Sequence, residues 1–225
     1  GRDPGVHGSL HLFVVTNVTE KGIGAGTVNT QRMLDSLGRA DTIPKLTKLR
    51  KVEKAWEAGP GFGFFDSGKE VRQKMDAFEK KIQEIEGSDI LPEPRPGLKV
   101  HICSLVAKDS PPNNWMPVYI HSKLMIINDV FTTHGSANIN TRSMQVDSEM
   151  NIAHDWASVT QGLRRRLWNM HTDGQGVQDD PEKAFDRWDK LLKQNEDNQD
   201  PENRKSPESP LVKFNYNEST LKDWD

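Results

Sequence analysis

The sequence predicts an α/β domain, a mixed β-sheet flanked by helices, with a C-terminal helical extension. Three observations predict it. Short apolar runs rich in Val, Ile and Phe recur along the chain, as strands buried on both faces require. Between them lie charge-rich segments whose apolar residues return every three or four positions. The last third carries two such helical segments in succession.

Residues 1–8 read as an irregular lead-in, and Leu10 to Val15 is the first strand. Thr19 to Gly26 is a loop whose Gly22, Gly24 and Gly26 lack the dinucleotide fingerprint spacing, so a flexible turn is expected. Thr27 or Asn29 caps a helix carrying Met33, Leu34 and Leu37, which Gly38 stops. Residues 44–57 and 68–86 are helical; in the second, Val71, Met75, Phe78, Ile82 and Ile85 form one stripe. Between them, Ala58 to Asp66 holds Phe62, Phe64 and Phe65 among glycines. Those rings either fold onto the domain or meet a membrane interface.

A proline-rich break at Pro92 to Pro96 leads into a strand at Lys99 to Val106. Further strands are expected at Val118 to Ile127, Val130 to His134 and Asp147 to Ala153. A helix over 158–170 should turn Leu163, Leu167 and Met170 inward and Arg164, Arg165 and Arg166 outward. A helix over 181–194 opens on Pro181 and gathers Phe185, Trp188, Leu191 and Leu192 on one side. A polar stretch at 195–210 precedes a returning segment, Leu211 to Tyr216. The expected division is a lobe at 1–155, with a helical insertion at about 40–95, and C-terminal helices with an extended tail at 156–225.

The charge balance, 30 basic against 33 acidic side chains, argues against nucleic acid as the main partner. One cysteine, Cys103, excludes an intrachain disulfide, and its apolar surroundings indicate a buried, inert thiol. No apolar run is long enough to cross a bilayer as a helix. The chain opens Gly-Arg-Asp-Pro-Gly without Met, so a preceding segment is expected. His121, His134 and His154 lack the spacing of a metal site, and neither metal nor cofactor is called for.

One stretch carries chemistry: His121-Ser122-Lys123, then Gly135-Ser136-Ala137-Asn138, then Asp147-Ser148-Glu149. On a strand, His121 and Lys123 would face one side together. Gly135 permits close backbone approach, and Ser136 and Asn138 offer neutral donors. An imidazole, an ammonium, a hydroxyl and a carboxamide suit an anion with several oxygens, a phosphate. Glu149 is placed to accept a hydrogen bond from His121 and fix its tautomer.

His-x-Lys followed by Gly-Ser-x-Asn, with 15 residues from His121 to Ser136 and 17 to Asn138, resembles the phospholipase D superfamily. The run Gly-Ser-Ala-Asn-Ile-Asn-Thr-Arg-Ser-Met, ending in Asp-Ser-Glu, resembles the second HKD motif of its two-lobed members. Residues 98–155 look like bacterial phospholipase D effectors delivered by type VI secretion. The resemblance implies a phospholipase D-like lobe and metal-independent hydrolysis of glycerophospholipids through a phosphohistidine. His121 is then the general acid/base, Lys123 the electrostatic clamp, Ser136 and Asn138 the phosphate donors, and Glu149 the orienting group.

It also implies a secreted, peripheral membrane protein with a phospholipid substrate and an immunity or chaperone partner. Two departures stand out. The motif's aspartate position holds Asn128, with Asp129 beside it, and Asn128 is carried as a substrate-side residue that keeps the turn. Only one His-x-Lys is present, so a second HKD lobe must come from another chain or an upstream segment. The rival readings are a homodimeric HKD nuclease and a degenerate HKD domain that binds lipid or protein.

Overall fold

A computed structural model of the chain describes residues 6–17, 27–139 and 141–215. The glycine turn at 19–26, the side chains of Thr27 and Asn29, and Tyr216 lie outside what is described. The fold is α/β, with two three-stranded sheets where one was expected. The first has the order β1-β2-β6: β1 (Leu10–Val15) runs parallel to β2 (Leu98–Leu105), and β6 (Leu211–Lys213) pairs antiparallel with β2. The second is an antiparallel meander of β3 (Lys123–Ile127), β4 (Phe131–Gly135) and β5 (Asn151–His154).

Helices cover both faces of the first sheet, which is why its strands read as continuous apolar runs. On one face, Val14, Val100 and Ile102 pack with Leu34 of α1 (Thr27–Ser36), Leu46 of α2 (Pro44–Ala58), Ile43 and Phe214. On the other, Phe13, Val15 and Cys103 meet Trp168 of α5 (Ala157–Thr172) and Trp188 and Leu192 of α6 (Pro181–Asn198). Phe13 sits 4.6 Å from the Trp168 ring and 5.0 Å from Trp188, a geometry in which tilted aromatic pairs add to area burial. Buried Asn195 binds the returning tail, its amide donating to the carbonyls of Ser209 (2.8 Å) and Leu211 (2.7 Å).

α3 (Gly68–Gly87) opens with Ser67, which forms a capping box with Glu70, and it packs against α2. Gly38, at φ 72, ends α1 where a side chain would strike the Glu93 carbonyl. A short helix α4 (Thr141–Gln145) links β4 to β5.

Several expectations are corrected. The strand foreseen over 118–127 begins only at Lys123, because the preceding residues bond to the end of β2: the Val118 N–H donates to Leu105 (2.9 Å), and Ala107 donates to Met116 (2.8 Å). The strand foreseen over 147–153 begins at Asn151. Met170 is exposed rather than inward. Phe64 and Phe65 do not fold onto the domain, and are 97% and 93% exposed. Arg164, expected outward, is buried. Its guanidinium forks onto both carboxylate oxygens of Asp129 (2.6 and 2.7 Å), reaches Asp179 (2.7 Å) and lies over the Trp168 ring at 4.6 Å. Two carboxylates and an aromatic face compensate the desolvation that would otherwise keep a guanidinium in water.

Arg164→Ala should lower the unfolding free energy by about 2–3 kcal/mol, since it strands the half-buried Asp129 carboxylate. Urea denaturation reads this, and Arg164→Lys should recover only part, because an ammonium cannot fork. Burial pushes His101 and His171 below the ordinary imidazole range. The unfolded chain therefore takes up protons first, so stability holds above about pH 6.5 and declines as pH falls below it. Melting curves at successive pH values check the sign; a melting temperature that rises on acidification through this window contradicts it.

Candidate functional site

The site lies just beyond the carboxyl ends of the parallel pair β1 and β2, where open α/β sheets commonly place ligands. Thr16 still bonds to Cys103 at 2.9 Å, and the next residue, Asn17, turns its side chain toward Ile120. Its amide donates to the Ile120 carbonyl and its oxygen accepts from the Ile120 N–H. Asn17 thus acts like one more strand residue and fixes the backbone immediately before His121.

His121 is therefore not inside a strand. It occupies the extended step between the two sheets and is exposed, with its ring stacked on Tyr119 at 5.9 Å. Lys123, the first residue of β3, is half-buried and donates from Nζ to the His121 carbonyl at 2.8 Å. Two of the ammonium's three hydrogens are left for another acceptor.

Register sets the rest. Lys123 lies opposite Gly135, and Gly135 lies opposite Asn151, so one row crosses all three strands of the second sheet. Directly paired residues share a face. Gly135 was expected to admit a ligand. In the structure its missing Cβ admits β5 instead: a methyl group there would lie 2.2 Å from both the Met150 carbonyl and the Asn151 amide oxygen.

Asn151 uses that room to accept from the Ala137 N–H at 3.2 Å. Ser136 is held beside it, its backbone N–H donating to the Met150 carbonyl (3.1 Å) and its Oγ accepting from the Met150 N–H (3.1 Å). The hydroxyl proton makes only a 3.5 Å approach to Met150, so it can still turn to a ligand. Asn138 follows on the exposed loop. The loop from Gly135 to Asn138 is therefore shaped by β5 and presented beside Lys123.

One expected member stands elsewhere. Asn128 sits in the β3–β4 turn at φ 51, beside Asp129 at φ 56. Asn and Asp tolerate this left-handed backbone better than other side chains that carry a Cβ. Five residues of strand put Asn128 roughly 16 Å from Lys123, too far to share its phosphate. Its role is the turn, and Asp129 anchors that turn to Arg164. Glu149 is half-buried two residues before β5.

Sequence reasoning missed Asn17, Tyr119 and Asn151. An amide directly after the first strand was the signal for Asn17; nothing local marks the other two. Apolar side chains rim the site: Tyr119 is 68% exposed, and Ile139 and Met150, beside Asn138 and Ser136, are also exposed. Among the described residues, no His, Cys, Asp and Glu group is placed to hold a metal, and no helix is long and apolar enough to cross a membrane.

Residues 73–171 match the family described as cardiolipin synthase, PLD-like domain. Phospholipase D alpha 4 of Arabidopsis thaliana is 40% identical over 75 residues, covering 30% of this chain and 10% of that protein. Phospholipase D beta 1 of the same plant is 40% identical over 58 residues, covering 23% and 5%. Phospholipase D gamma 2, also from that plant, is 37% identical over 68 residues, covering 24% and 8%. The chain thus spans about a tenth or less of the curated relatives it matches. The PLD-like match includes the segment carrying His121, Lys123, Gly135, Ser136 and Asn138.

Gly135→Ala should cost about 2–3 kcal/mol in a urea titration, because β4 and β5 must part to admit the methyl group. A variant as stable as the parent would show that the row from Lys123 to Asn151 is not packed this tightly.

Proposed function

We propose that this chain is one half of a phospholipase D active site, completed by a second HKD lobe, and that the assembled enzyme hydrolyses glycerophospholipids to phosphatidic acid and free head group. The observation that carries the reading is the register of Lys123 on Gly135. It sets an imidazole, an ammonium and the Ser136–Asn138 donors at one end of a single hairpin. That set matches a phosphodiester, and its open, apolar-rimmed surface fits burial against another lobe.

In this reading a histidine of the second lobe attacks phosphorus, forming a P–N bond as the P–O bond to the head-group alcohol breaks. His121 gives its proton to that leaving oxygen. It then takes a proton from water, which attacks the phosphohistidine, breaks the P–N bond and releases phosphatidic acid. Lys123, Ser136 and Asn138 hold the non-bridging oxygens, which carry more charge in the transition state than in the substrate. Glu149 is the orienting group, accepting a hydrogen bond from one ring nitrogen of His121 and so fixing its tautomer. The resemblance of residues 98–155 to type VI effectors supports the further proposal of a delivered, secreted toxin with an immunity or chaperone partner.

The native mass of the particle containing the chain is the first test. A mass equal to this chain plus an unlike one carrying His-x-Lys supports the two-lobed enzyme; twice this chain moves the site to a symmetric phosphodiesterase. In the assembled particle, His121→Ala should cut phosphatidylcholine hydrolysis by about 10⁴-fold while melting stays unchanged. Undiminished turnover would remove His121 from the chemistry.

A further inference from the structure

The loop between α2 and α3 presents aromatic rings to solvent without cover. Phe64 and Phe65 are 97% and 93% exposed, Phe62 is 51% exposed, and the Phe64 and Phe65 rings meet edge to face at 5.1 Å. The loop is nonetheless built. Asp66 accepts from the Gly63 N–H (2.6 Å) and from Lys74 (2.7 Å), and Lys74 also donates to the Gly61 carbonyl (3.0 Å). These partners, Lys74 foremost, hold the Asp66 carboxyl below the ordinary carboxylate range.

The helices around it are offset. Trp56 packs on Phe78 at 4.8 Å, and Lys48 donates to the Glu86 carbonyl at 2.9 Å, so α2 ends opposite residues near the middle of α3. The first two turns of α3, roughly 12 Å, project past α2 and carry the loop along them. This projection precedes most of the segment that matches the PLD-like family.

We infer that Phe62, Phe64 and Phe65 form a tip that inserts into the interfacial layer of a phospholipid bilayer. Choosing a lipid surface as the occupant rests on the phospholipid reading above. The shape favours it: two adjacent rings on a narrow projection offer far less than the roughly 800 Å² per partner of a stable protein interface, yet suffice to enter a lipid interface. Residues 59–75 carry three basic side chains, Lys69, Arg72 and Lys74, against two acidic ones, Asp66 and Glu70. Lys69 and Arg72 are exposed, Asp66 is occupied by Lys74, and Glu70 serves the helix cap. Exposed Glu57 and Asp76 flank the same segment, so the rings rather than net charge carry the contact with lipid.

Co-sedimentation of the full chain with vesicles of mixed phosphatidylethanolamine and phosphatidylglycerol tests the tip. Changing Phe64→Ser and Phe65→Ser together should weaken binding about tenfold or more at unchanged melting temperature, because both rings are exposed. A second readout uses Phe64→Cys carrying an environment-sensitive fluorophore. Cys103 is fully buried, so the introduced thiol is the one that reacts, and its emission should shift to the blue on vesicle addition. Equal sedimentation of parent and variant, an unshifted label on sedimenting chain, or a parent that ignores vesicles while the tip captures a purified partner protein would each overturn the inference. His121→Ala separates the two claims. It should sediment normally while the assembled enzyme loses hydrolysis of a soluble short-chain phospholipid, which the double serine variant keeps.

Discussion

The pair of hydrogen bonds between the Asn17 amide and the Ile120 backbone is the constraint on which the site depends. The chain enters this region bonded along the edge of β2 and must leave it to begin β3. Clamping Ile120 fixes where that departure happens. His121 then falls between the sheets and Lys123 on the first rung of the second. A side-chain amide does this without a further strand, because it offers one donor and one acceptor in the spacing of a peptide unit.

The same hairpin is held at its far end by a different force. Asn128 and Asp129 take the two left-handed positions of the turn, and Asp129 passes the turn's load to Arg164. Arg164 in turn joins Asp179, so α5 and the segment leading into α6 are fastened to the hairpin by one buried guanidinium. With β3 held at both ends, the orientation of Lys123 follows from strand geometry. Asn128 contributes its left-handed backbone to the turn, and the anchoring charge comes from Asp129 beside it.

Gly135 meets a need that the sequence did not show. Its lack of a side chain serves β5, whose Asn151 lies over it and receives the Ala137 N–H. The phosphate-side loop is shaped from behind by the third strand. The face that carries His121 stays open, with apolar side chains beside it. The proposal of a second lobe rests on that openness together with the lone His-x-Lys.

The α/β class, the helices α2 and α3 and the C-terminal pair were legible from periodicity, because strand and helix spacing are local properties of the chain. His121, Lys123, Ser136 and Asn138 could be singled out because the proposed phosphate chemistry calls for such groups close together along the chain. The division into two sheets was not legible. An apolar run from Val118 to Ile127 reads as one strand, and only hydrogen bonds to Leu105 and Asn17 divide it. Nor could periodicity see that Arg164 turns inward, since its two carboxylate partners lie 35 and 15 residues away. Phe64 and Phe65 were ambiguous for the same reason: composition shows that a loop is apolar, but only packing decides whether anything covers it. The sequence by itself determined which chemical groups are present and the local periods they obey. Tertiary structure decided which of them meet, because pairing across long chain separations depends on hydrogen-bond partners that no local pattern encodes.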